Sequence, residues 1–163
     1  MKIMKKDRPK IKIELTKSDK ILEIIALLLL VCLWIYVIYN YNSLPEIINT
    51  HFNAQGKPDG SGEKQYIFGL PGVATFMYLV ITIGSRYPHT FNYLEEITKE
   101  NALEQYTKMT KLTRILKIIL IGIFGYASWQ TINNVEVSPL FFPIMFVATL
   151  GPIIYFNLKK SKK

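Results

Sequence analysis

The sequence predicts an all-α, polytopic membrane protein with four transmembrane helices. Three observations carry that reading. Half of the 163 residues are hydrophobic, with a mean hydropathy of +0.19. The apolar residues are gathered into four long blocks rather than spread at helical or strand spacing. Lys and Arg crowd the alternate segments between the blocks. A bilayer's hydrocarbon layer takes about 20 apolar residues of helix to cross, because every backbone N–H and C=O must be satisfied within the span.

Taken in order, residues 1–19 form a basic tail. Within it Lys10 to Leu15 alternates charged and apolar residues, compatible with a short strand or a segment on the membrane surface, although a loose tail is the favoured reading. Ser18 and Asp19 offer N-cap oxygens to the first span, 20–40, whose apolar run is interrupted only by Glu23. Cys32, the single cysteine, is expected to pack there as a small residue. A polar loop, 41–66, leads to the second span, 67–85, which carries no charge. Leu103, Tyr106, Met109 and Leu112 in segment 86–114, followed by Leu116, recur at spacings of three and four. That predicts an amphipathic helix, N-capped by Thr98, that continues into the third span, 115–132. An outer turn (133–139), a fourth span (140–158) and a basic tail (159–163) complete the chain. Gly69, Gly72, Gly122 and Gly125 would permit close helix approach. Pro71, Pro139, Pro143 and Pro152 would bend or start helices.

Orientation follows from charge. Counting the N-terminal tail through Lys20, seventeen of the twenty Lys and Arg fall in the two tails and the 86–114 segment, so these are expected on the cytoplasmic side and both termini with them. Trp34, Tyr36, Tyr39 and Tyr41, with Tyr126 and Trp129, would then form an outer aromatic belt. The net charge of +8 is accounted for by topology and by anionic lipid, so the bilayer is the expected partner and nucleic acid is not. Glu23 and Lys117 sit at similar depth on different spans. They are a candidate intramembrane ion pair, the alternative being that each reaches separately to the interface.

The loop 41–66 is the one chemically distinctive stretch. Ile47 to Phe52 is β-compatible, Asn53 to Gly62 is rich in turn formers, and Pro45 stops the first helix, so a hairpin or compact loop is expected. Gly56, Gly60 and Gly62 would supply positive-φ positions, with Pro58-Asp59-Gly60 as a turn. His51, Asp59 and Glu63 are weak candidates for a cation site. Their spacing matches no standard metal loop, and turn-capping is the favoured role, so neither a metal nor a cofactor is expected. No nucleophile with a paired base is visible, and the chain reads as a non-enzyme.

Leu44-Pro45, His51-Phe52-Asn53, Gly56, Pro58-Asp59-Gly60 and Lys64 resemble the signature of a bacterial membrane domain of unknown function, number 1648, also found at the N-terminus of SdpI-type immunity proteins. That family usually has a proline two residues before the histidine, where this chain has Asn49. The chain departs from the immunity proteins by lacking their additional C-terminal helical domain, so the resemblance to them covers at most the first helix, the loop and the second helix. Segments 85–101 and 126–132 are similar to small four-helix members. The resemblance implies a multi-pass protein of the bacterial cell membrane, with the listed loop residues as a recognition loop for a secreted peptide or toxin, in immunity or signalling. A small transporter or permeability factor, and an accessory subunit of a larger membrane complex, are the alternatives. Oligomeric state is left open.

Overall fold

The computed structural model describes residues 8–158. The outer parts of the two basic tails, 1–7 and 159–163, lie outside the described residues. In chain order the elements are α1 (Lys17–Tyr41), β1 (Ile47–Phe52), β2 (Pro58–Glu63), a 3-10 turn (Lys64–Phe68), α2 (Gly69–Gly84), a second 3-10 turn (Pro88–Thr90), α3 (Ala102–Asn133) and α4 (Phe141–Leu158). All four expected spans are helical, long enough and apolar enough to cross a membrane. The class is mainly α, with one two-stranded antiparallel sheet.

α3 is the central helix, packed by α1, α2 and α4. α1 meets the bundle along Ala26, Leu30, Leu33 and Val37, a stripe at spacings of four and three. Ala74, Ile121, Leu44, Ile48 and Ile67 close the same core, which therefore extends from the helices into the base of the hairpin. No residue of α4 is buried, as expected of a helix that leaves most of its surface to lipid.

The buried face of α3 is polar. Thr110, Arg114, Lys117, Ser128, Gln130 and Thr131 are all buried, since in hydrocarbon it is the polar groups that must turn inward for partners. Lys117 Nζ lies 2.5 Å from Glu23 Oε2 and 2.9 Å from Thr82 Oγ1, and 4.6 Å from the centre of the Tyr78 ring. Arg114 Nε lies 3.1 Å from Glu23 Oε1, and Arg114 Nη1 3.5 Å from Asp19 Oδ1. The structure thus brings Glu23 and Lys117 together and adds Arg114 and Asp19 to them.

Several expectations are corrected. Thr16, one position earlier than α1 and ahead of Ser18 and Asp19, is its N-cap. Its hydroxyl accepts from the Asp19 N–H while the Asp19 carboxylate accepts from the Thr16 N–H, a capping box. Residues 8–16 are neither strand nor loose tail. Arg8 donates to the carbonyls of His89 and Phe91, Tyr106 donates to the carbonyl of Pro9, and Ile11 and Ile13 pack on Ile97, Ala102 and Tyr106. The alternation in Lys10 to Leu15 is therefore a one-sided packing pattern along an extended arm. Burial against this arm raises the Tyr93 hydroxyl pKa, with the nearby Tyr106 adding to the rise and Arg8 opposing it. α3 begins at Ala102, because Thr98 and Asn101 bond each other in a turn that precedes the helix. Leu103 is exposed and Gln105 buried, so the face the apolar spacing marked on α3 is only partly the packed one. Cys32 faces outward.

Glu23→Gln removes the carboxylate that Lys117 and Arg114 share, leaving Arg114 with Asp19 and Lys117 with no acidic partner among these contacts. Breaking a buried pair costs about 3 kcal/mol or more. A lower midpoint in an SDS titration of the detergent-solubilised protein is the expected result, with exposed Lys20→Gln unchanged as the control.

Candidate functional site: a clamped hairpin

The hairpin follows directly from the end of α1. Leu44 is buried in the core, Pro45 turns the chain outward, and β1 begins at Ile47. Pairing runs Ile47 with Glu63, Ile48 with Gly62, Asn49 with Ser61, His51 with Gly60 and Phe52 with Pro58, with irregularities on either side of His51. Lys64 closes the base. Its N–H donates to the Glu46 carbonyl and its ammonium lies 2.8 Å from Glu46 Oε1 and 5.4 Å from the centre of the Tyr41 ring.

The turn is Asn53 to Lys57, four residues earlier than Pro58-Asp59-Gly60. The Asn53 carboxamide oxygen accepts from the N–H groups of Gln55 and Lys57, and the Asn53 carbonyl from Gly56. Pro58, Asp59 and Gly60 lie in β2. That strand has poor intrinsic propensity and is held by its partner. Pro58 is tolerated because the hairpin has no further strand to receive its missing N–H.

Of the three loop glycines only Gly56 has a positive φ, +79°. It is also a contact point: a Cβ there would lie 2.0 Å from the Val137 carbonyl oxygen, and the Val137 N–H donates to the Gly56 carbonyl at 2.8 Å. Val137 belongs to the α3–α4 connector, so the hairpin tip is clamped on the far half of the chain. Asn49 adds a second tie, its amide donating to the Asn134 side chain at 2.7 Å. Asn134 ends α3 in the left-handed conformation that asparagine tolerates. Gly60 and Gly62 serve close packing, their missing Cβ atoms leaving room for the His51 Cβ and the Tyr66 ring.

His51 Nδ1 and Asp59 Oδ1 are 2.5 Å apart, the His51 side chain largely exposed and that of Asp59 partly so. Glu63 is at the opposite end of the hairpin, where its carboxylate accepts from Gln65. The three weak metal candidates are therefore separated, and no group of three such ligands occurs among the described residues.

Beneath the hairpin lies a cleft of about 490 Å³ between the sheet and the ends of α2 and α3. Ile48, Phe52, Tyr66, Leu70 and Val73 give it an apolar lining, with Asn49, Thr50 and Thr131 as polar groups. Phe52 apart, sequence reasoning missed these residues. The one available signal was a threonine inside an apolar span, at Thr131. The aromatic belt is also partly internal, since Trp34 donates to Thr75 at 2.9 Å and the Tyr41 and Phe68 rings are 4.8 Å apart.

Fold and site define a multi-pass membrane protein whose first two helices carry a structured hairpin. Residues 28–75, from the middle of α1 to the first turns of α2, match the family model described as Domain of unknown function (DUF1648). It is similar to an uncharacterized protein of Archaeoglobus fulgidus, 29% identical over 164 residues and covering 90% of both chains. At that coverage the likeness extends well beyond residues 28–75. No solved structure matches the chain.

Gly56→Ala forces alanine into positive φ, worth about 1–2 kcal/mol, and onto the Val137 carbonyl. The amides of residues 47–63 are expected to lose hydrogen-exchange protection in this variant. Unchanged protection would show that the clamp does not hold the hairpin.

Proposed function

We propose that the protein is a non-catalytic membrane receptor, with the hairpin outward, that holds a secreted amphipathic peptide or toxin against the cleft beneath β1 and β2. The cleft is the observation that carries this reading: an apolar hollow with polar groups at one side, roofed by a hairpin that is fixed before any ligand arrives. The sheet has only two strands, so each leaves one edge whose backbone groups can pair with an extended peptide. The exposed His51–Asp59 pair gives the hairpin a polar outer contact. Immunity or signalling would be the outcome of capture, and no cofactor or reaction is assigned.

The outward orientation, with both termini cytoplasmic in the cell membrane, is supported by the basic residues gathered on the arm and the 86–114 segment. Alkaline phosphatase fused after Lys57 should be active, and the same enzyme fused after Lys99 inactive. The reverse pattern would place the hairpin inside the cell and remove a secreted ligand from reach.

A transporter is the second reading, supported by the buried Glu23–Lys117–Arg114 charges. The two are separated in cells challenged with a panel of secreted amphipathic peptides. A receptor should lose protection in Val73→Trp, which fills the cleft, and in His51→Ala or Asp59→Ala, at unchanged membrane level. If these variants protect like wild type while Lys117→Gln does not, the receptor reading fails.

A further inference from the structure

At the end of the bundle away from the hairpin, a second cleft of about 600 Å³ opens between the N-terminal arm, α1, the exit of α2 and α3. Its polar lining is Lys12, Glu23, Thr82, Ser85, Arg86 and Arg114. We propose that this cleft binds an anion bearing a phosphate group.

The charge balance points to an anion. Arg114 and Lys117 are offset by Asp19 and Glu23, which leaves Lys12 and Arg86 in excess at the cleft. Neither of these two side chains has a protein partner among the described residues. The acceptors on the walls are already engaged: the Glu23 carboxylate takes Arg114 and Lys117, Thr82 Oγ1 accepts from Lys117, and the Ser85 hydroxyl donates to the Thr82 carbonyl.

A second observation is independent of the excess charge. Arg114 Nη1 is the only buried side-chain nitrogen or oxygen among the described residues without a hydrogen-bond partner, on a side chain that is 6% exposed. Its nearest acidic oxygen, Asp19 Oδ1, stands 3.5 Å away as an ion-pair contact without a hydrogen bond, and an acceptor at hydrogen-bond distance would supply the missing bond. The three cations come from three different segments: the arm, the α2 exit and α3. Donors converging from several directions suit a tetrahedral group with several oxygens better than a planar carboxylate, which one arginine fork would satisfy. The cleft also lies where the apolar spans end, at the level of lipid headgroups, so the phosphate could belong to a phospholipid or to a soluble compound.

The test uses the full chain in detergent and the double variant Lys12→Gln/Arg86→Gln, whose changed side chains hold no part of the fold. Native mass spectrometry measures binding of phosphatidylglycerol, with uncharged diacylglycerol as the control, and calorimetry measures binding of inorganic phosphate. The proposal expects one of these probes to bind the wild type and to bind the double variant roughly thirtyfold more weakly, the scale of removing two cations from an anionic headgroup. Phosphatidylglycerol alone identifies a lipid headgroup as the source, and binding of inorganic phosphate identifies a soluble one. Binding of neither probe, equal binding by the two proteins, or phosphatidylglycerol retained no better than diacylglycerol overturns it.

Discussion

Glu23, held between Lys117 and Arg114, is the contact on which the bundle depends. In water such a group would add little, because solvent serves each charge as well as the partner does. Here Arg114 and Lys117 are almost fully buried, so few other partners reach them, and a single orientation of α1 against α3 satisfies the charges together. Thr82 and the Tyr78 ring bring α2 to the same point. Three helices are therefore registered by one polar cluster, and the apolar stripe from Ala26 to Val37 follows from that register.

The second fixed point is at the other end. α3 runs unbroken from the charge cluster to Asn134, a distance of about 25 Å at helical rise. There it presents Asn134 to Asn49, and its connector presents Val137 to Gly56. Trp34 with Thr75 and Asn133 with Tyr36 bind the helices just below the hairpin. The hairpin thus rests on a platform made by segments distant in sequence. A two-stranded hairpin alone is marginal in water, and this one is kept by its attachment to α1, α3 and the α3–α4 connector.

Much of this was legible in the sequence and some was not, for definite reasons. The spans announced themselves because crossing hydrocarbon demands long apolar runs, and β1 was visible in its β-branched and aromatic residues. β2 was hidden because Pro58-Asp59-Gly60-Ser61-Gly62 has the composition of a turn and becomes a strand only by pairing with β1. The docking of the arm was concealed in the same way, since Ile11 and Ile13 look like scattered apolar residues until Tyr106 and Ala102 are beside them. Glu23 and Lys117 could be paired by depth, whereas Asp19 and Arg114 could not, because both read as residues at the edge of the membrane. The cleft under the hairpin is an outcome of packing among four segments and left almost no local trace.

The placement of the signature residues bears on what the domain has in common and what it leaves variable. Leu44 is in the core, Asn53 pins the turn, Gly56 takes the Val137 clamp, Gly60 makes room for His51, and Lys64 seals the base. Each of these is spent on the hairpin's shape. Among the polar signature residues, His51 and Asp59 keep the most exposed side chains, 73% and 42%. The walls of the cleft are supplied largely by positions outside the signature, and Ala127 and Thr131 lie outside residues 28–75 altogether. A match to the domain therefore speaks for the frame. A molecule held in the cleft, as proposed above, would meet mostly side chains outside the signature, with Phe52 the exception in the lining.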